Sequence, residues 1–130
     1  LILDSSAIVS VIEEEDGSDD LLTVLAAAPD VAAGAPTLFE SAIVLVAREG
    51  AAGRSSLLHF LDENEIAAIP FGEKHWAIAA EAFIRFGKGR HPARLNYGDC
   101  MTYATARLAD DPLLCIGDDF AQTDLQLALA

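Results

Sequence analysis

The chain has 130 residues, 52% of them hydrophobic, and sets 21 acidic side chains against 8 basic ones for a formal net charge of −13. Such a length holds one domain with one core, the apolar content excludes a disordered chain, and the charge argues against broad nucleic-acid binding, which needs a basic footprint. No run approaches the ~18 apolar residues of a bilayer span, and the apolar lead before Asp4 is too short for a signal peptide. The start without Met points to a trimmed chain, and Cys100 and Cys115 read as reduced, buried thiols of a cytoplasmic protein with no membrane association.

Leu1 to Asp4 reads as a short buried strand closed by a carboxylate. Ser5 to Glu15 reads as a helix, with Ser5 or Ser6 as N-cap and Ile8, Val11 and Ile12 on one face. Asp16-Gly17-Ser18 breaks it, and helical spacing resumes from Asp19 to Ala28 until Pro29 stops it. Val31 to Ala35 is a weak strand, since alanine and glycine are poor strand formers. Thr37 to Arg48 is helical, with Pro36 near its first turn and Gly50 beyond its end. Ser55 to Asn64 is a further helix, Glu65 to Phe71 contains a strand, and Glu73 to Phe86 is a long helix in which Trp76 is expected in the core. Lys88 to Asn96 is a loop, Asp99 to Ala109 a helix, and Leu113 to Ile116 a strand. The order β-α-α-β-α-α-β-α-α-β predicts one α/β domain with a mainly parallel sheet covered on both faces.

Several carboxylates fall at the junctions of these elements. Asp4 ends the first strand. Glu40 sits in a helix so apolar around its circumference that it is expected to be buried, where a carboxylate is costly unless paired or bound to a cation. Asp99 opens a helix, and Asp118 and Asp119 follow the last strand. Each has a plainer explanation: an N-cap for Asp4 or Asp99, a first-turn residue favoured by the helix dipole for Glu40, a turn for Asp118-Asp119. Parallel α/β folds, however, build their sites beyond the carboxyl ends of the strands. Carboxylates converging there repel one another and persist only with a cation or shared protons.

The basic residues are unevenly spread. Arg85, Lys88, Arg90 and Arg94, with His91 among them, crowd into the stretch just before Asp99. Such a patch beside an acidic cluster suits a phosphate backbone, against the alternative of a solvated loop. The histidines lack ligand spacing, Gly87-Lys88-Gly89 is no P-loop, and no Ser-His or Cys-His nucleophile motif appears.

LILDSSAIVSVIEEE at the start, APTLFESAIVL in the middle, and GKGRHPARLNYGDCMTYATA followed by PLLCIGDDFAQTDL resemble the PIN-domain family, specifically the VapC-type toxins of bacterial toxin–antitoxin modules. The resemblance covers essentially the whole chain. It implies a doubly wound, mainly parallel sheet of four or five strands with helices on both faces. It also implies a metal-dependent endoribonuclease using Mg²⁺ or Mn²⁺. By motif, Asp4 and Asp99 are implied as principal metal ligands and Glu40 as part of the acidic cluster. The fourth acid is Asp118 or Asp119, with Asp124 as an outer candidate. Lys88, Arg90 and Arg94 are implied to orient the RNA backbone, with tRNA or rRNA as substrate, a homodimer as the assembly, and a VapB-type antitoxin as partner. The first two helices, rimmed by Glu13, Glu14, Glu15, Asp16, Asp19 and Asp20, are the expected antitoxin dock. The rival reading is a catalytically silent PIN-like binding module. A phosphotransfer receiver domain would need an Asp where Ile69-Pro70 stands, and a haloacid-dehalogenase-type phosphatase an Asp where Ser6 stands.

Overall fold

The computed structural model describes residues 1–129. Strand β1 (Ile2–Leu3) leads into helices α1 (Ser5–Ile12) and α2 (Ser18–Ala27). Strand β2 (Ala32–Gly34) leads into α3 (Ala35–Glu49) and α4 (Ala51–Glu63), and β3 (Ala67–Ile69) into α5 (Glu73–Phe86) and α6 (Tyr97–Ala109). Strand β4 (Leu113–Leu114) follows, then a single 3-10 turn at Phe120–Gln122. The element order is the expected one. The four strands form one parallel sheet in the order β3-β2-β1-β4. A fifth strand is reduced to a bridge: Leu127 runs parallel to Leu113, whose N–H donates to Gln126 O at 3.0 Å and whose carbonyl accepts the Ala128 N–H at 2.8 Å.

Successive strand residues point to opposite faces, so two residues per strand are enough to serve two cores. Leu3 and Leu114 pack with Ile8, Leu21, Leu25, Leu45, Leu57 and Phe60 of α1 to α4. Ile2 and Leu113 pack with Ala82, Phe86, Tyr103 and Ala106 of α5 and α6. All four strand residues are at most 2% exposed, and each such burial is worth roughly 1.5–3 kcal/mol. From β1 the chain builds outward through β2 to β3, then returns to place β4 on the other flank of β1. At such a switch point the strand ends leave a crevice, and Asp4 stands in it.

Four expectations are corrected. Helix α1 ends at Ile12, before the three glutamates, whose charge opposes the negative end of the helix dipole with no basic residue in the last turn; Glu14 takes a left-handed φ of 53° instead. Helix α4 begins at Ala51, because Gly50, at φ 64°, ends α3 and starts α4 in one residue. Helix α3 is not buried all round: it buries Thr37, Ser41 and Leu45, while Phe39, Ile43 and Val46 are exposed on its outer face. Trp76 is not core but 61% exposed. Helix α5 packs inward through small side chains such as Ala79 and Ala82, leaving Trp76, Phe83 and Ile84 outside.

Candidate active site

Asp4 leaves the carboxyl end of β1 as the N-cap of α1. Its Oδ2 accepts the Ser6 N–H at 3.2 Å and the Ser6 hydroxyl at 2.6 Å. The same Ser6 Oγ accepts the Ile116 N–H at 3.0 Å, and the Asp4 N–H donates to Leu114 O at 3.0 Å. The exits of β1 and β4 are therefore tied together by backbone and side chain. Asp4 is 6% exposed, and a carboxylate so buried requires hydrogen bonds or a cation around it.

Glu40 arises from the second turn of α3 and Asp99 from the first turn of α6. The buried hydroxyls of Thr37 and Thr102 meet at 3.1 Å between these helices, near one turn before Glu40 and one turn after Asp99. Gly98 permits the close approach: a Cβ there would stand 2.8 Å from Glu40 Oε1. The N-cap of α6 is Asn96, not Asp99. Asn96 Oδ1 accepts the Asp99 N–H at 2.9 Å, and Asp99 Oδ2 accepts the Asn96 N–H at 3.0 Å, a reciprocal capping box that fixes the Asp99 side chain.

Asp4, Asp99 and Asp119 line one cleft of about 420 Å³, together with Ser6, Asn96 and Arg48. Glu40 flanks it. Burial pushes the Asp99 carboxyl up to about 6, and the neighbouring charges of Asp4, Asp119 and Glu40 push the same way, against the Asn96 N–H. Burial and Asp4 also raise Glu40, against a hydrogen bond from Ser5. Asp118 does not line the cleft; it lines a neighbouring cavity beside Gly17 and Leu21. Gly117, at φ 93°, turns the chain so that the second of the two aspartates faces inward.

Asp124 lies apart from the cleft. It accepts the Tyr103 hydroxyl at 2.6 Å and pairs with Arg85 at 3.3 Å and Arg107 at 3.5 Å, which clamps the tail to α5 and α6 and lowers its proton affinity despite burial. Of the basic run, Arg94 reaches the site, 3.7 Å from Asp119. Lys88 and Arg90 do not line the cleft, and the Arg90 guanidinium lies 5.7 Å from the Phe83 ring centre. Burial, ahead of the nearby acids, holds the Cys100 thiol up at about 11 and Cys115 at about 12, so neither is a ready nucleophile.

Sequence reasoning missed Arg48 and gave Ser6 only a capping role. The available signals were spacings. Ser6 follows a strand-ending Asp by two residues, and Arg48 lies two helical steps of four beyond Glu40.

Among the described residues no three His, Cys, Asp or Glu side chains are drawn into a group able to hold a metal ion. The donor chemistry nonetheless fits a hard divalent cation: every acid at the cleft offers oxygen. Burial first, and the repulsion of Asp4, Asp119 and Glu40 after it, raise the proton affinity of Asp99, and such a cation would offset both.

A family model described as PIN domain matches residues 1–125. The chain is 44% identical to Ribonuclease VapC36 of Mycobacterium tuberculosis over 127 residues, covering 97% of this chain and 91% of the relative. It is 34% identical to Ribonuclease VapC of Mycolicibacterium smegmatis over 125 residues, covering 96% and 97%. Among solved structures, Mycobacterium tuberculosis VapC20, described as a Sarcin-Ricin loop cleaving toxin, matches with a TM-score of 0.77 at 16% identity over 95% of both chains. VapBC2 from Rickettsia felis, bound to a DNA fragment from its promoter, matches with a TM-score of 0.76 at 20% identity over 97% of this chain and 95% of that one. At those identities the two structures speak to the fold alone: a four-stranded parallel sheet between helical layers.

Proposed function

We propose a function from one premise: this chain belongs to the PIN-domain family. Its near-full-length relatives are VapC ribonucleases, and the chain is an RNA-cleaving hydrolase, the toxin member of a VapB–VapC pair. The observation that carries the reading is the buried Asp4 at the sheet's switch point, sharing its cleft with Asp99 and Asp119. A Mg²⁺ or Mn²⁺ ion held by Asp4 and Asp99 would supply an activated water and neutralise charge on the phosphoryl oxygens. The chain's own groups prepare that site. Ser6 fixes Asp4, and Asn96 fixes Asp99. Glu40 adds a further carboxylate beside the cleft, its proton affinity raised by burial and by Asp4. Arg94, with Lys88 and Arg90 behind it, gives the RNA backbone a basic side from which to approach. No helix among the described residues is long and apolar enough to cross a membrane. A tRNA or rRNA substrate would place the site of action in the cytoplasm. The test is cleavage of bulk tRNA or rRNA with Mg²⁺ or Mn²⁺ and with EDTA. Metal-dependent cleavage is expected; EDTA-treated protein cutting as fast as the metal-loaded form overturns the mechanism. No cleavage in any metal returns the chain to a silent binding module.

The VapB antitoxin has a fitting surface. A groove of about 550 Å³ between α1, α2 and α4 contains Val11, Leu22 and Phe60 and is rimmed by Glu14, Glu15 and Asp19. Ile8, Leu21 and Leu25 of the same hairpin are buried in the core and Val11 is half-buried against it, which leaves Leu22 exposed to a partner. Apolar floor and acidic rim suit a segment with apolar anchors and basic charge. Changing Glu14→Lys and Glu15→Lys together is expected to slow association with the cognate antitoxin on the order of tenfold at low salt and less at high salt. An unchanged rate in stopped-flow measurements at low salt excludes this landing site.

The remaining apolar surface suits a second copy of the chain. Phe39, Ile43 and Val46 on α3, and Trp76, Phe83 and Tyr97 around α5 and α6, expose more large apolar side chains than isolated surface positions explain. Light scattering should return twice the chain mass; a monomer at micromolar concentration excludes the homodimer.

A further inference from the structure

We propose that Arg48 is a substrate-binding residue that takes a phosphodiester of the RNA at the acidic cleft, an inference that rests on the ribonuclease reading and adds a contact to it. Glu40, Val44 and Arg48 follow one another at steps of four along α3 and so share one face. Val44 and Arg48 both line the cleft that holds Asp4, Asp99 and Asp119. Among the described residues that line it, Arg48 is the one basic side chain. An RNA strand entering between Asp4, Glu15, Asp99 and Asp119 meets repulsion on most sides, and a guanidinium offers a planar fork of donors matched to a phosphate.

The side chain is loosely held: its ion pair with Glu13 is long, 4.0 Å, with the Arg48 side chain 50% exposed and that of Glu13 20%. That distance lies beyond hydrogen-bond reach; the Glu13 Oε1 it faces is buried without a hydrogen-bond partner, so Arg48 also offsets the charge of that carboxylate. Arg94, the other cation at the cleft, is paired to Asp119 at 3.7 Å from the basic loop. Arg48 projects from α3 and Arg94 from the segment before α6, so the two cations belong to different elements around one acidic floor. A purely structural alternative exists: Arg48 lies in the last turn of α3, where a cation favours the helix dipole. That role predicts a loss of stability and no change in substrate affinity.

The experiment compares wild type, Arg48→Gln and Arg48→Lys with bulk tRNA as probe and saturating Mn²⁺, reading KM and kcat separately over a range of salt. Arg48→Gln is expected to raise KM about tenfold with kcat within about threefold, and to reduce the salt slope by ~0.7, the loss of one single-strand phosphate contact. Arg48→Lys keeps the charge and is expected to recover part of the KM and the slope. Unchanged KM and slope in Arg48→Gln, with wild type active, overturn the proposal and leave Arg48 the helix-end role, which a lower melting temperature would mark. A fall in kcat at constant KM also overturns it, since a binding contact does not act that way. Inactivity of the wild type in every metal sinks the ribonuclease reading and this inference together, an outcome distinct from failure of Arg48 alone.

Discussion

Asp99→Asn is expected to lower RNA cleavage by at least about a hundredfold, and to give a metal-free protein that melts higher than the parent at neutral pH. The first effect follows from removing a charged oxygen donor from a site where a proposed divalent cation would supply several kcal/mol of transition-state stabilisation, with ~1.4 kcal/mol to each factor of ten. The second follows from the direction of the Asp99 shift. Its folded-state value of about 6 lies above its ordinary 3.8. Between those values the folded protein binds more protons than the unfolded chain, so metal-free stability falls as pH rises through the interval and the full penalty applies above pH ~6. Asparagine carries no charge to penalise, and its Oδ1 can still accept the Asn96 N–H, so the capping box survives. Melting curves in EDTA should therefore separate variant from parent most at pH 7.5 and bring them together near pH 4. Added Mn²⁺ should raise the melting temperature of the parent and not of the variant. A variant that cleaves within a few-fold of the parent, or melts below it in EDTA at pH 7.5, contradicts the assignment.

Gly53→Ala is expected to destabilise the protein by about 1–3 kcal/mol, although alanine is the better helix former by ~0.8–1 kcal/mol. Gly53 is in the first turn of α4, where that helix crosses α3. A Cβ there would lie 2.3 Å from Leu45 O and 2.5 Å from Leu45 C. The obstacle is backbone, and Leu45 is fully buried, so neither side can yield by a rotamer change. Helix α4 must back away from α3, opening contacts around Leu57 and Phe60. Overpacking outweighs propensity here because the clash is nearly an ångström deep. Thermal or urea unfolding of the purified variant decides the matter: a midpoint equal to or above the parent's contradicts the packing argument.

The order of elements was legible because the apolar runs Leu1–Leu3 and Leu113–Ile116 stand out as strands, and each helix is bounded by Gly, Pro, Asn or an acidic break. The cleft was legible for the same reason, since strand ends in a parallel sheet converge whatever the side chains. Less was readable where one residue's backbone decides. Asp118 and Asp119 are equivalent in the sequence until the left-handed turn at Gly117 gives the cleft to Asp119. Asp99 reads as the helix starter and Asn96 as the end of a loop, whereas the two share the task as third residue and cap. The positions of Phe39, Ile43 and Trp76 were not legible at all. Apolar residues around a whole helix do not distinguish a face turned to the core from one turned outward. Asp124 resembled a member of the acid cluster because its binding to Tyr103, Arg85 and Arg107 depends on packing of α5 against α6, which no local pattern encodes.

The sheet order has a temporal side. Strand β4 pairs with β1 through Ile2 with Leu113 and Leu3 with Leu114, and the Ser6 hydroxyl receives its bond from Ile116, 110 residues further along the chain. A growing chain emerging from the ribosome can form α1 to α4 around β1, β2 and β3 early, since those contacts are closer in sequence. It cannot bring Asp119 to Asp4 until the final strand has been made and inserted. Synthesis thus yields a carboxylate half-site first and the whole cleft only after β4, so a cutter of RNA gains its blade only once all four strands are in place.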